Sequence, residues 1–87
     1  MENVAIHRQC LEAAISRRKD EFALSHLVWT ADGYIVKFRL GIVDVVRSGV
    51  EVSVFDDASR VDKMLDGVRL TLQSLQVLPA SRLELRR

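Results

Sequence analysis

Apolar positions near the start of the chain recur at helical spacing. Val4, Leu11, Ile15 and Phe22 lie along one side of a 3.6-residue helix. The spacing predicts a helix from Asn3 to about Phe22, with Asn3 as its N-cap. Arg8 and Arg18 project near the same line, so this helix meets a core through few side chains. From His26 onward the period drops to two. Asp32-Gly33 is a strong hairpin signal, because both central residues of a type I′ turn need positive φ. A two-residue turn there pairs Trp29 with Val36 and Leu27 with Phe38. Leu40-Gly41 can make the next turn, setting Phe38 opposite Val43, Val36 opposite Val45 and Lys37 opposite Asp44. Ser48-Gly49 can make a third, setting Val45 opposite Val52 and Val43 opposite Val54. All three turns give one inner face: Leu27, Trp29, Val36, Phe38, Val43, Val45, Val52 and Val54. A slip of one residue would break that face everywhere. Six of the twelve valines fall between positions 43 and 54, which suits strands.

Asp56-Asp57-Ala58-Ser59 opens a second helix, capped by Asp57 or Ser59 with acids at the positive end of its dipole. Val61, Met64, Leu65, Val68, Leu72 and Leu75 form its broad apolar stripe. Gly67 lies on the flank of that stripe and suggests a close neighbour, such as the Ala13/Ala14 region. Pro79 ends the helix. Leu83 and Leu85 alternate with Arg82, Glu84 and Arg86, which fits a short C-terminal edge strand or a loose basic tail at 82–87. The resulting fold class is α+β: a two-layer sandwich in the order helix, four-stranded antiparallel meander, helix (αββββα). Residues 1–87 read as a single domain.

Two helices cover one sheet face and leave the other bare. The bare face carries Val28, Ile35, Ile42, Val46 and Phe55, more apolar surface than a solvated face requires. It reads as a binding surface for a protein partner or a second copy, against the alternative of scattered surface apolars. Leu70 and Val77, on the far side of the second helix, form a smaller exposed strip that could take a partner or the C-terminal leucines.

Composition narrows the function classes. The chain has 87 residues, 48% of them hydrophobic and 29% charged, with four glycines and one proline. These values exclude disordered and fibrous classes. No apolar run approaches the ~18 residues of a membrane-spanning helix, and MENVAIHRQC shows no signal-peptide pattern, so a cytoplasmic protein without membrane contact is expected. One cysteine, Cys10, allows no internal disulfide and, with two histidines, no Cys-rich zinc site. No metal or other cofactor is expected. The net charge is +1, and positive and negative residues are balanced along most of the chain, with only 80–87 biased to positive. A nucleic-acid contact would have to gather Arg17, Arg18 and Lys19 with Arg82, Arg86 and Arg87.

Catalytic signals are weak. His7 and Cys10 are spaced to approach one another on a helix, but no third group is placed to orient them. Asp56, Asp57, Asp62 and Asp66 could suggest a Mg²⁺ site, yet capping and a solvated face explain them. No phosphate loop, G-x-S-x-G, H-E-x-x-H or C-x-x-C occurs. Stacking aromatics of an RNA-binding sheet are also missing, since only Phe55 falls on the bare face. The α-β-β-β-α order of double-stranded RNA-binding domains is similar, but the lysine-rich start of their second helix is replaced here by Asp56-Asp57-Ala58-Ser59. The expectation is a non-enzymatic protein-binding module: an adaptor, regulator or inhibitor acting by surface occlusion, with self-association through the bare face. Small inhibitors from phages or other mobile elements have this profile. The competing class is a nucleic-acid-contacting protein.

Overall fold

A computed structural model describes residues 3–78. The order is α1 (Val4–Arg18), β1 (Ala23–Thr30), β2 (Gly33–Leu40), β3 (Val43–Val50), a 3-10 helix (Val52–Asp56) and α2 (Ala58–Ser74). The three strands form one antiparallel sheet in the order β1-β2-β3. The class is α+β, with three strands where the residue pattern predicts four. Arg82, Arg86, Arg87 and the alternating leucines lie outside the described residues.

Asn3 caps α1 as expected, its Oδ1 accepting the Ile6 N–H at 3.2 Å. The helix ends earlier than the apolar spacing implies. Lys19 turns left-handed at φ 58° and its N–H bonds back to the Ile15 and Ser16 carbonyls, closing the last turn. Phe22 therefore reaches the core from the loop, edge-on to Phe38 with ring centroids 5.5 Å apart. Leu11, Ala14 and Ile15 are the buried residues of α1, the narrow stripe expected.

Both hairpin turns sit one residue away from their predicted places. Ala31 and Asp32 make the first turn, and Gly33 starts β2, so Trp29 pairs with Tyr34 and Leu27 with Val36. Gly41 and Ile42 make the second, so Phe38 pairs with Val45, Lys37 with Val46 and Arg39 with Asp44. Moving a turn by one residue moves each pairing by two, and two is the side-chain period of a strand. The faces are therefore preserved while the partners change. Gly33 is needed at its place. Its φ is +114°, and a Cβ there would lie 2.8 Å from the Val50 carbonyl oxygen. A bulge between Leu24 and His26 lets β1 send both Leu24 and Leu27 inward.

The fourth strand is replaced by the 3-10 helix. Ser48-Gly49 does not turn the chain; the β2–β3 register shifts there, with Gly49 at φ 65°, and β3 continues to Val50 opposite Tyr34. Residues three apart share a side in a 3-10 helix, so Val52 and Phe55 point the same way. A strand over 50–55 would have put Phe55 on the bare face. The 3-10 geometry turns it inward, where it packs against the core and stacks on His7 at 4.7 Å.

Asp57 caps α2, accepting the Ser59 N–H at 2.9 Å. Val61, Leu65, Val68 and Leu72 join Leu11, Ile15, Phe22, Leu27, Tyr34, Val36, Phe38 and Val45 in one core. The helix stops at Ser74, before Pro79. Gln76 is left-handed at φ 62° and the Val77 N–H bonds to the Leu72 carbonyl at 2.9 Å. That reversal carries Val77 against the core and buries Leu78, while Leu75 is left exposed. Gly67 does have a close neighbour, but it is Arg47 of β3, not α1. The Arg47 guanidinium donates to the Gly67 carbonyl at 3.3 Å, to Thr71 Oγ1 at 2.8 Å and to its neighbour's Val46 carbonyl at 3.4 Å.

Candidate functional site

The sheet face opposite the helices holds the strongest candidate. Val28 pairs directly with Ile35 across β1 and β2, and Val46 pairs with Lys37 across β2 and β3. Cross-strand and diagonal neighbours on one face lie within side-chain reach, so Val28, Ile35 and Val46 form one apolar cluster spanning all three strands. Their exposures are 50%, 37% and 50%, so no described element covers them. Lys37 and His26, themselves a cross-strand pair, border the cluster. Beyond them Arg39 grips Asp44 through Nε at 2.8 Å and Nη2 at 3.3 Å.

The electrostatics of this border are positive. The bond from Arg39 holds the Asp44 carboxyl below the usual range against some desolvation, and the charges of Arg39, Lys37 and His26 add to it. Arg39 is held above its ordinary value by the same bond and charge. Lys37 has no ion-pair partner among the described residues, although its charge also acts on Asp44, so Lys37 and Arg39 against Asp44 leave this border with one net positive charge.

Three of the expected contact residues are placed elsewhere. Phe55 leaves the site for the core, for the reason given above. Val77 is half-buried, so Leu70, 61% exposed on α2, no longer has it as an exposed neighbour. Ile42 is fully exposed but stands at the β2–β3 turn, separated from the cluster by the Arg39–Asp44 pair.

The basic run of the competing reading is mostly neutralised. Arg17 binds Asp62 at 3.1 Å, and Arg18 binds Asp20 at 2.8 Å and Asp66 at 2.7 Å. Burial works against the Arg18 charge, but the bonds to Asp20 and Asp66 outweigh it and raise its pKa. Asp20 has no exposed side-chain surface and also faces Arg69 at 3.6 Å. Asp62 and Asp66 thus tie the end of α1 to α2 while their side chains stay open to solvent, 37% and 61% exposed. Lys19 stays exposed at the helix end.

His7 and Cys10 do not form a pair of the kind nucleophilic catalysis uses. His7 Nδ1 shares a 2.6 Å hydrogen bond with the Tyr34 hydroxyl, and its ring contacts both Tyr34 and Phe55, which also contact each other. Trp29 extends this aromatic group, edge-on to Tyr34 at 5.0 Å. The residue pattern did contain a signal for it: Val4, His7 and Leu11 are spaced three and four apart, which puts His7 on the core side of α1. No group of three or more His, Cys, Asp or Glu side chains able to hold a metal occurs among the described residues. No described helix is long and apolar enough to cross a membrane. No family model, curated protein or solved structure matches the chain.

Proposed function

We propose that the protein is a non-enzymatic protein-binding module that acts by covering a partner's surface, as an adaptor, regulator or inhibitor, through the helix-free face of its sheet. The observation that carries this reading is the exposed Val28–Ile35–Val46 cluster, bordered by Lys37 and the Arg39–Asp44 pair. Apolar side chains at the centre of a polar surround are the arrangement of an interface core and rim. The order α-β-β-β-α is that of double-stranded RNA-binding domains, but the nucleic-acid reading gains no support from it. Asp56 and Asp57 lead into α2 where those domains are lysine-rich, and Asp57 is committed to the cap.

The test compares wild type with Ile35→Glu and Leu70→Glu as affinity baits, after equal thermal stability has been verified. A partner held by wild type and by Leu70→Glu, but lost by Ile35→Glu, supports the sheet face. Equal retention by Ile35→Glu would remove it.

A further inference from the structure

We infer that the sheet face receives an amphipathic α-helix of a partner protein, with acidic residues flanking the helix's apolar stripe. This rests on the sheet face being the binding surface and adds what it binds. Two observations select this occupant.

The first is size. Three strands of eight residues each make a face of about 27 Å by about 14 Å, roughly 400 Å² in plan. Even with side-chain relief, this falls short of the about 800 Å² that each partner buries in a stable dimer. A single helix fits it well. Eighteen residues of helix are about 27 Å long, and a helix with its side chains is about 10–12 Å across.

The second is charge. Lys37 lies beside the apolar cluster without an ion-pair partner among the described residues, and Asp44 is already engaged by Arg39. A second copy placed face to face would bring two net-positive borders, each with a lysine outside any ion pair, into one small interface, which is unfavourable. Glu or Asp on the flank of a helix meets Lys37 with the opposite sign. Its apolar residues, at intervals of three and four, rest on Val28, Ile35 and Val46.

The probe is a displayed library of 18-residue peptides. Leu, Ile, Val, Met or Phe occupy every third or fourth position in helical register, and the flanks are randomised among Asp, Glu, Lys, Arg, Ser and Gln. It is selected against wild type, Ile35→Glu and Lys37→Glu, each shown to be folded by circular dichroism. Wild type is expected to enrich peptides with acidic flanks that are helical when bound. Those peptides should lose at least tenfold in affinity on either variant, and their binding should shift the Val28, Ile35, Lys37 and Val46 amide resonances. Enriched peptides that need Ile35 but have neutral or basic flanks, or ignore Lys37→Glu, overturn the acidic-helix inference and leave the sheet face standing. Enrichment that is indifferent to Ile35→Glu overturns the sheet face itself. A library that yields no binder to wild type overturns the inference.

Discussion

Phe55 separates the fold from the binding surface, and replacing it by alanine tests that division. Its ring stacks on His7 at 4.7 Å and meets Tyr34 edge-on at 5.3 Å. A fully buried Phe→Ala change costs about 3–5 kcal/mol. Phe55 is half-buried, so roughly half of that is lost, and two ring contacts of about 0.5–1.5 kcal/mol each overlap with the same loss. The expected destabilisation is about 2–3 kcal/mol. At roughly 0.05–0.15 kcal/mol per residue, the whole domain has on the order of 4–13 kcal/mol, so the variant folds but with a clear deficit. Urea unfolding should show a lower midpoint with an unchanged slope. Val46→Ala, on the other face and 50% exposed, should move the midpoint little. The assignment of Phe55 to the core is refuted if Phe55→Ala unfolds at the wild-type midpoint yet no longer binds a partner that Val46→Ala still binds.

Two glycine changes should act with opposite signs in the same assay. Gly33→Ala must cost about 2 kcal/mol or more, from its φ of +114° and the approach to the Val50 carbonyl, whereas Gly67→Ala should gain about 0.5–1 kcal/mol, since its Cβ would meet only Arg47 Nη2 at an ordinary 3.9 Å. Asp44 should titrate below an ordinary aspartate by NMR, and Arg39→Gln should bring it back up. A lowered folded-state pKa means that any stability it supplies is present above the unfolded value and disappears as pH falls through the folded one. Trp29 is 40% exposed, so iodide should quench its fluorescence appreciably, and Trp29→Ala should cost about 1–2 kcal/mol, well below the value for a fully buried ring.

The two faces of the sheet were legible because alternation survives a shift of two. Leu27, Val36, Phe38 and Val45 are buried and Val28, Ile35 and Val46 exposed, as the alternation predicts, although both turns were misplaced. Turn placement was not legible for a physical reason. A glycine with positive φ serves a turn centre, a strand start or a bulge equally, and Gly33 and Gly49 took the second and third of these roles. What excluded a turn at Gly49 is the burial of Phe55 against His7 and Tyr34, residues distant in sequence. The acids of α2 hid their role in the same way. Asp62 and Asp66 look solvated along their own helix, yet their partners Arg17 and Arg18 stand 45 and 48 positions away. Trp29 shows the remaining limit: alternation gives the side of the sheet but not whether a helix extends far enough to cover it.

Val28, Ile35 and Val46 are all β-branched, and such residues favour strands whether or not anything binds them. Strand formation alone could account for their place on the outer face, and threonine separates the two causes. It keeps the branch at Cβ and the strand preference but replaces apolar surface with a hydroxyl that water can satisfy. If the three residues serve only the strand, the triple change Val28→Thr, Ile35→Thr, Val46→Thr leaves both stability and binding near wild type. If they are an interface core, stability changes by less than about 1 kcal/mol, since each is already at least 37% exposed. Binding, by contrast, falls at least tenfold, because three desolvated contacts are lost together. Calorimetry adds a second readout, since losing apolar burial makes the heat-capacity change of binding less negative. A triple variant that binds as tightly as wild type, with the same heat-capacity change, would show that strand propensity is the whole reason for these residues.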